Sequence, residues 1–406
     1  MNGLTPISVF LLIIIIGLIA LLTLLKKKKM LVWIGSYILQ RLSGKPKVNG
    51  PVHVMFCFVD HYEPQWGRVK DIEIERNRVD RWCDEYPRMV AKHKDADGNY
   101  PKHTFFYPEE EYRKEHIDKL IALCNKGYGE VEVHLHHDND TSANLRTTLN
   151  RFADCLHQQH QALPRNKLDG RLQYGFIHGN WCLDNSRDDG RMCGVNDELI
   201  ILKETGCYAD FTLPSAPSDT QTKKINSIYY ATDNPHKAKS HNTGVDVEVN
   251  KKPSGDLMII QGPLCLNWRN RKGGFLPRIE AGDIRQAIPP SNERVDMWVD
   301  ANIHVKGRPE WIFIKIHTHG TQEHDMDTLL GDHVGNMFGY LESAYNNGTD
   351  YVLHYVSSRE LYNIVKAAEA GESGNPDKYR DYILDKPAHL QSGVTDGTAD
   401  QSYRTA

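Results

Sequence analysis

Three stretches far apart in the chain read as strands, two by alternating apolar and polar residues and one by a continuous apolar run. In the first, Val131, Val133 and Leu135 alternate with Glu132, His134 and His136, so a strand there turns an apolar face one way and two imidazoles the other. In the second, Ile312, Ile314 and Ile316 oppose Lys315, His317 and His319. The third is the apolar run from Val54, which ends in Asp60, His61 and Glu63. Further short strands are expected over 103–107, 172–178, 212–217 and 351–355. Apolar residues recur at helical spacing over 72–94, 109–125, 142–163, 196–204, 327–345 and 358–370. Strands alternating with helices predict a parallel α/β architecture, which builds its sites at the carboxyl ends of strands. Asp and His stand at three of those ends.

Residues 219–303 show few helical patterns and several short strand candidates, such as Ser227–Ala231 and Leu257–Gln261, and read as an insertion packed over the site. The polar stretch 386–406 reads as a disordered tail, which leaves 52–385 as the globular domain.

Residues 7–25 carry no charge. At ~1.5 Å per residue they cross most of a ~30 Å hydrocarbon core. No Lys or Arg precedes them, and Lys26, Lys27, Lys28 and Lys29 follow. A cleaved leader wants its positive charge in front, so 1–29 reads as a retained anchor. The lysines place the domain on the cytoplasmic side, the alternative being a signal anchor with the domain outside. Residues 30–51 form a juxtamembrane segment and linker. Within it, 30–42 either lies in the membrane interface with Trp33 and Tyr37 at headgroup level or packs on the domain.

Composition narrows the chemistry. With 406 residues, 25% charged and a net charge of −4, no strongly basic surface points to nucleic acid. The eight cysteines are scattered without a CxxC pair, which excludes a zinc ribbon or a disulfide framework; Cys193 reads as structural. No Walker loop or Rossmann fingerprint is present. Two imidazoles at i, i+2 on one strand face, with carboxylates beside them, suit a borderline divalent cation such as zinc.

The order of Asp-ending strand, HLH strand, aromatic turn (Phe176 to Trp181), the segment Gly206-Cys-Tyr-Ala-Asp210-Phe and His-ending strand resembles the polysaccharide deacetylase superfamily over roughly 52–382. The resemblance implies a distorted (β/α) barrel. It also implies a divalent metal, zinc being the expected ion, held by Asp60, His134 and His136, with His134 and Asp138 as the other pairing of the second motif. The implied reaction removes an N-acyl group from a polysaccharide or lipid-linked sugar. Val59 stands where the family has its aspartate base, so the base falls to Glu63 or, second, Asp138. His317 or His319 protonates the departing amine. Trp181 stacks on a sugar ring, His178 and Asn180 bond its hydroxyls, and Asp210 joins the substrate groove. Two other readings are a catalytically silent carbohydrate-binding protein on the same fold, which the missing base favours, and a glycoside hydrolase. The latter needs two carboxylates across the scissile bond, supplied from Glu63, Asp138 and Asp140.

Overall fold

The computed structural model describes residues 6–391; of the expected tail, 392–406 lie outside the described residues. Twelve strands run β1 (Val52–His61), β2 (His103–Pro108), β3 (Gly129–Leu135), β4 (Tyr174–His178), β5 (Cys207–Asp210), β6 (Ile228–Ala231), β7 (Val245–Asp246), β8 (Leu257–Ile260), β9 (Cys265–Lys272), β10 (Leu276–Glu280), β11 (Trp311–Thr318) and β12 (Tyr351–Val356). Ten of them form one large, mostly parallel sheet in the order β11-β1-β2-β3-β4-β5-β8-β6-β7. β12 lies beside the first half of β1 and β2 beside its second half. Only β6 runs against the others in that sheet, antiparallel to both β8 and β7, and β9 with β10 makes a separate hairpin.

Alternation along each strand sorts the side chains into two cores. Val54, Phe56 and Phe58 of β1, Val131, Val133 and Leu135 of β3, and Ile312, Ile314 and Ile316 of β11 pack under the helices. Met55, Cys57 and Val59 face the other core, with Ile177, Ala209 and Phe313. The helix Ile72–Val90 shows why such segments fold as they do. Asp71 caps it by accepting from the Glu73 N–H at 3.0 Å, and its buried Val79, Trp82, Tyr86 and Val90 recur every three or four residues. Burying each such side chain contributes roughly 1.5–3 kcal/mol.

Several elements differ from expectation for local reasons. The helix expected over 109–125 spans only Lys114–Leu123, because Glu109–Glu111 takes a tight 3-10 turn. Residues 212–217 form no strand; Pro214 and Pro217 have no N–H to give a ladder. The stretch 219–303, expected as an insertion, puts β6, β7 and β8 into the main sheet, with β8 parallel to β5.

The N-terminal helix Pro6–Lys27 is apolar and long enough to cross a membrane, and as an N-terminal segment it also satisfies the length and composition of a signal sequence. The segment after it packs on the domain. Trp33 is fully buried and Tyr37 nearly so, in a cluster with Ile225, Leu264 and Cys265. Gln40 Nε2 donates to the Ile225 carbonyl at 2.8 Å, and Lys45 pairs with Asp300 at 2.6 Å.

Candidate functional site

At the carboxyl ends of β1, β3 and β11 the pleat brings His61, Glu63, His134, His136 and His319 together. Two overlapping groups of side chains could hold a metal ion, their ligand atoms within 4.8 Å of one another: His61, Glu63 and His319; and Glu63, His134 and His136. Glu63 is common to both. Its carboxylate lies 3.2 Å from His134 Nε2, 3.2 Å from His136 Nε2 and 3.7 Å from His319 Nδ1.

The outer nitrogens of the two β3 histidines are already committed. His134 Nδ1 bonds the Ile177 carbonyl at 2.9 Å, and His136 Nδ1 bonds Glu110 Oε1 at 2.5 Å. A carbonyl or carboxylate accepts only from a protonated nitrogen, so the lone pair of each neutral ring sits on Nε2 and points at Glu63. Lone pairs facing a carboxylate require a cation between them, whether a proton or a metal. Metal-binding histidines are oriented in this way, with the far N–H given to a carbonyl or carboxylate. His61 Nδ1 and His319 Nδ1 are buried with no hydrogen-bond partner. The donor set therefore fits a divalent cation.

Electrostatics follow from burial and crowding. Burial pulls His61 well below the ordinary histidine range and also lowers His134. For His136 burial opposes the charge, but the Glu110 and Glu63 carboxylates outweigh it and raise the ring to about 10. Burial would raise Glu63; the crowd of imidazoles around it, His134, His136 and His319, outweighs this and holds it well below the usual carboxylate range. Close packing fixes the rings, since a Cβ on Gly179 would lie 2.3 Å from the His136 ring. Trp181 covers the group, its ring 4.8 Å from His61 and 5.1 Å from His317, with a left-handed φ of 63°.

Not every expected residue arrives here. Asp60 shares its strand face with Phe56 and Phe58 and turns toward the helices. Its carboxylate accepts from the Gly320 N–H at 2.6 Å and bonds His103 Nε2 at 2.8 Å. Among the described residues, none of the groups that could hold a metal includes it. Glu63, expected as a base, lies where a ligand would. Asp138 is exposed. Asp210 is buried against the Thr212 N–H and hydroxyl, at 3.1 and 2.6 Å, and burial lifts it to about 7. Asn180 sits at the rim, its amide 3.5 Å from the His137 carbonyl.

His178 belongs to a neighbouring cluster. It shares a face with Phe176, under the helices, and its ring lies 4.7 Å from that of His137, tilted by 40°. His137 lies between Glu198 at 3.2 Å and Asp140 at 3.0 Å, and with His178 and Glu198 it forms a third group of metal-capable geometry. The sequence places His61 and His137 at strand ends without giving them a role, and sequence reasoning missed Glu110 and Glu198. Strand parity reveals His61, because it continues the Cys57, Val59 face of β1; no signal in the sequence joins His137 to Glu198.

No protein-family profile matches the chain, and no curated protein matches it in sequence.

Proposed function

We propose that this chain is a membrane-anchored, metal-dependent hydrolase that removes an N-acyl group from a sugar, on a barrel of the polysaccharide deacetylase type. The observation that carries the reading is the convergence of His134 Nε2 and His136 Nε2 on Glu63, with both Nδ1 atoms held from behind. The parallel ladder supports the barrel. So does Lys315 of β11, which reaches across to the carbonyls of Phe211 and Leu213 beyond β5, both at 2.7 Å.

In this reading Glu63, His134 and His136 hold a zinc-type ion, with His61 and His319 beside it. An ion held there would supply Lewis-acid chemistry, polarising an amide carbonyl and lowering the pKa of a water toward neutrality. Trp181 presents a flat apolar wall for a sugar ring. His317, beside Trp181 and with a buried, unpartnered Nδ1, is the neighbouring group that would take the water's proton. In the ion-free chain, burial opposes a charge on His319 but the neighbouring Glu63 carboxylate, 3.7 Å away, outweighs it and raises the ring; it is the histidine placed to return a proton to the departing amine. Lys26 to Lys29 set the domain on the cytoplasmic side, where it meets lipid-linked or nucleotide-linked sugars rather than finished polymer. A reporter fused after Ala406 that is active only outside the cytoplasm overturns that placement.

The test is elemental analysis of the full chain, as wild type and as His134→Ala with His136→Ala, followed by assay of acetate release from N-acetylated sugars. About one equivalent of metal, lost in the variant, together with metal-dependent acetate release is the expected result. No metal in either protein after supplementation sinks the mechanism. Metal and sugar binding without turnover supports instead a binding protein on the same fold, which the absence of a carboxylate at Val59 favours.

A further inference from the structure

Cys182 and Cys193 meet with their sulfurs 2.6 Å apart, both shut off from solvent. Among the described residues, no other two cysteine sulfurs are in hydrogen-bonding contact. The pair closes a loop whose two ends are walls of the site. Trp181, just before Cys182, lies against His61 and His317. Gly194, just after Cys193, lies so close to His137 that a Cβ there would fall 2.0 Å from the ring, and the Cys193 carbonyl accepts from the Asn139 N–H at 2.9 Å.

Between these ends the backbone is held in an unusual state. Trp181, Asp184, Asn185 and Met192 all have left-handed φ, at 63°, 54°, 50° and 56°. Non-glycine residues stay in that region only when their surroundings over-determine it. Asp184 N–H to Glu198 at 2.6 Å and Asn185 to Asn196 at 2.7 Å hold part of the loop. Thiols are weak donors and weak acceptors, so two of them in contact add little as hydrogen-bonding groups. As a covalent link they fix the loop at its neck.

We propose that Cys182 and Cys193 form a disulfide that staples the Trp181 loop to the His137 side of the site. Its chemical partner is a small-molecule or protein disulfide such as oxidised glutathione. One cysteine thiolate attacks that disulfide and releases one thiol, leaving a mixed disulfide. The second cysteine then attacks the mixed disulfide and releases the other thiol. The two cysteines lose two electrons and two protons in all, and the partner disulfide gains them as two thiols. Because both sulfurs are buried, exchange takes place while the loop is open. Facing a reducing compartment the pair rests as thiols and closes on oxidation; facing an oxidising one it stays closed. The link stands whether or not the site holds a metal.

The test uses the full chain in detergent, equilibrated with oxidised and reduced glutathione, quenched with iodoacetamide in denaturant and digested with trypsin. Cleavage at Arg171, Arg187, Arg191 and Lys203 leaves Cys182 in the peptide 172–187 and Cys193 in 192–203. In oxidised buffer the two peptides are expected linked, separating on reduction, with the other six cysteines alkylated. Both peptides alkylated without reduction, or each carrying glutathione, overturns the proposal. A second readout is amide exchange over 182–193. It should be roughly 10-fold or more faster in reduced wild type, and in Cys182→Ser with Cys193→Ser, than in the oxidised chain. Equal exchange in all three overturns the stapling role.

Discussion

Glu63 and Glu198 each meet histidines from the same short stretch, 134–137, yet their surroundings differ in kind. Around Glu198 the charges close on themselves. His137 stands between two carboxylates, and although burial opposes its charge, Glu198 and Asp140 raise the ring to about 9. One proton on His137 satisfies its two carboxylate contacts. His178 Nδ1 accepts from the Asn180 N–H at 3.2 Å, which leaves its Nε2 as a buried N–H without a partner rather than a free lone pair. The side chains of this cluster are at most 7% exposed. Around Glu63 there are more lone pairs than one proton can satisfy. His61 and His319 keep unpartnered nitrogens, and His136 and His319 remain 31% and 22% exposed. Imidazoles near a carboxylate are therefore not enough to mark a working centre. Uncommitted lone pairs and a route to solvent are what set the first cluster apart from the second, a buried ion pair between sheet and helices.

The contrast can be broken most forcefully at Glu198. Glu198→Gln leaves a buried imidazolium short of a partner and should cost about 3–5 kcal/mol of stability in urea unfolding, with metal content unchanged. Loss of metal in place of stability would make the second cluster the metal centre. Next in size is a pH effect. The folded pKa of His137 lies above its unfolded value of about 6.5, so its contribution is complete below pH ~6.5 and is lost as pH rises through about 9. That amounts to a fall of on the order of 2–3 kcal/mol, and His137→Gln should flatten it. A wild-type curve that is already flat across this window contradicts the ion-pair reading.

Smaller effects sharpen the first cluster. Glu110→Gln removes the carboxylate behind His136 and should weaken metal binding roughly 10–100-fold, measured by competition with a chromophoric chelator. An unchanged affinity would mean that His136 does not bind through Nε2. Smallest of all, Asp138→Ala should shift stability by less than about 0.5 kcal/mol and leave turnover within about twofold. A tenfold loss of turnover would restore Asp138 as the base.

Much of this was legible from period and parity. The two-residue repeat assigned the faces of β3 and β11 before any contact was known, and it placed His134 and His136 side by side. The same rule separates Asp60 from His61: residues 56, 58 and 60 share one face, and 57, 59 and 61 the other. Following the motif's aspartate rather than the pleat led to Asp60, which in the structure ties β1 to the turn at Gly320. The His137–Glu198 contact joins residues 61 apart, and only tertiary packing brings them together. Likewise the apolar content of 30–42 suited either a lipid surface or the domain; the complementary pocket formed by Ile225, Leu264 and Cys265 decided for the domain.

The burial of Trp33 changes how the apolar helix is joined to the domain. A loose tether would let the domain swing freely about the end of that helix. A segment bolted to the domain by a tryptophan, a glutamine bond and an ion pair acts as a bracket instead. It fixes the distance and heading of the Glu63 histidine cluster relative to the end of the apolar helix.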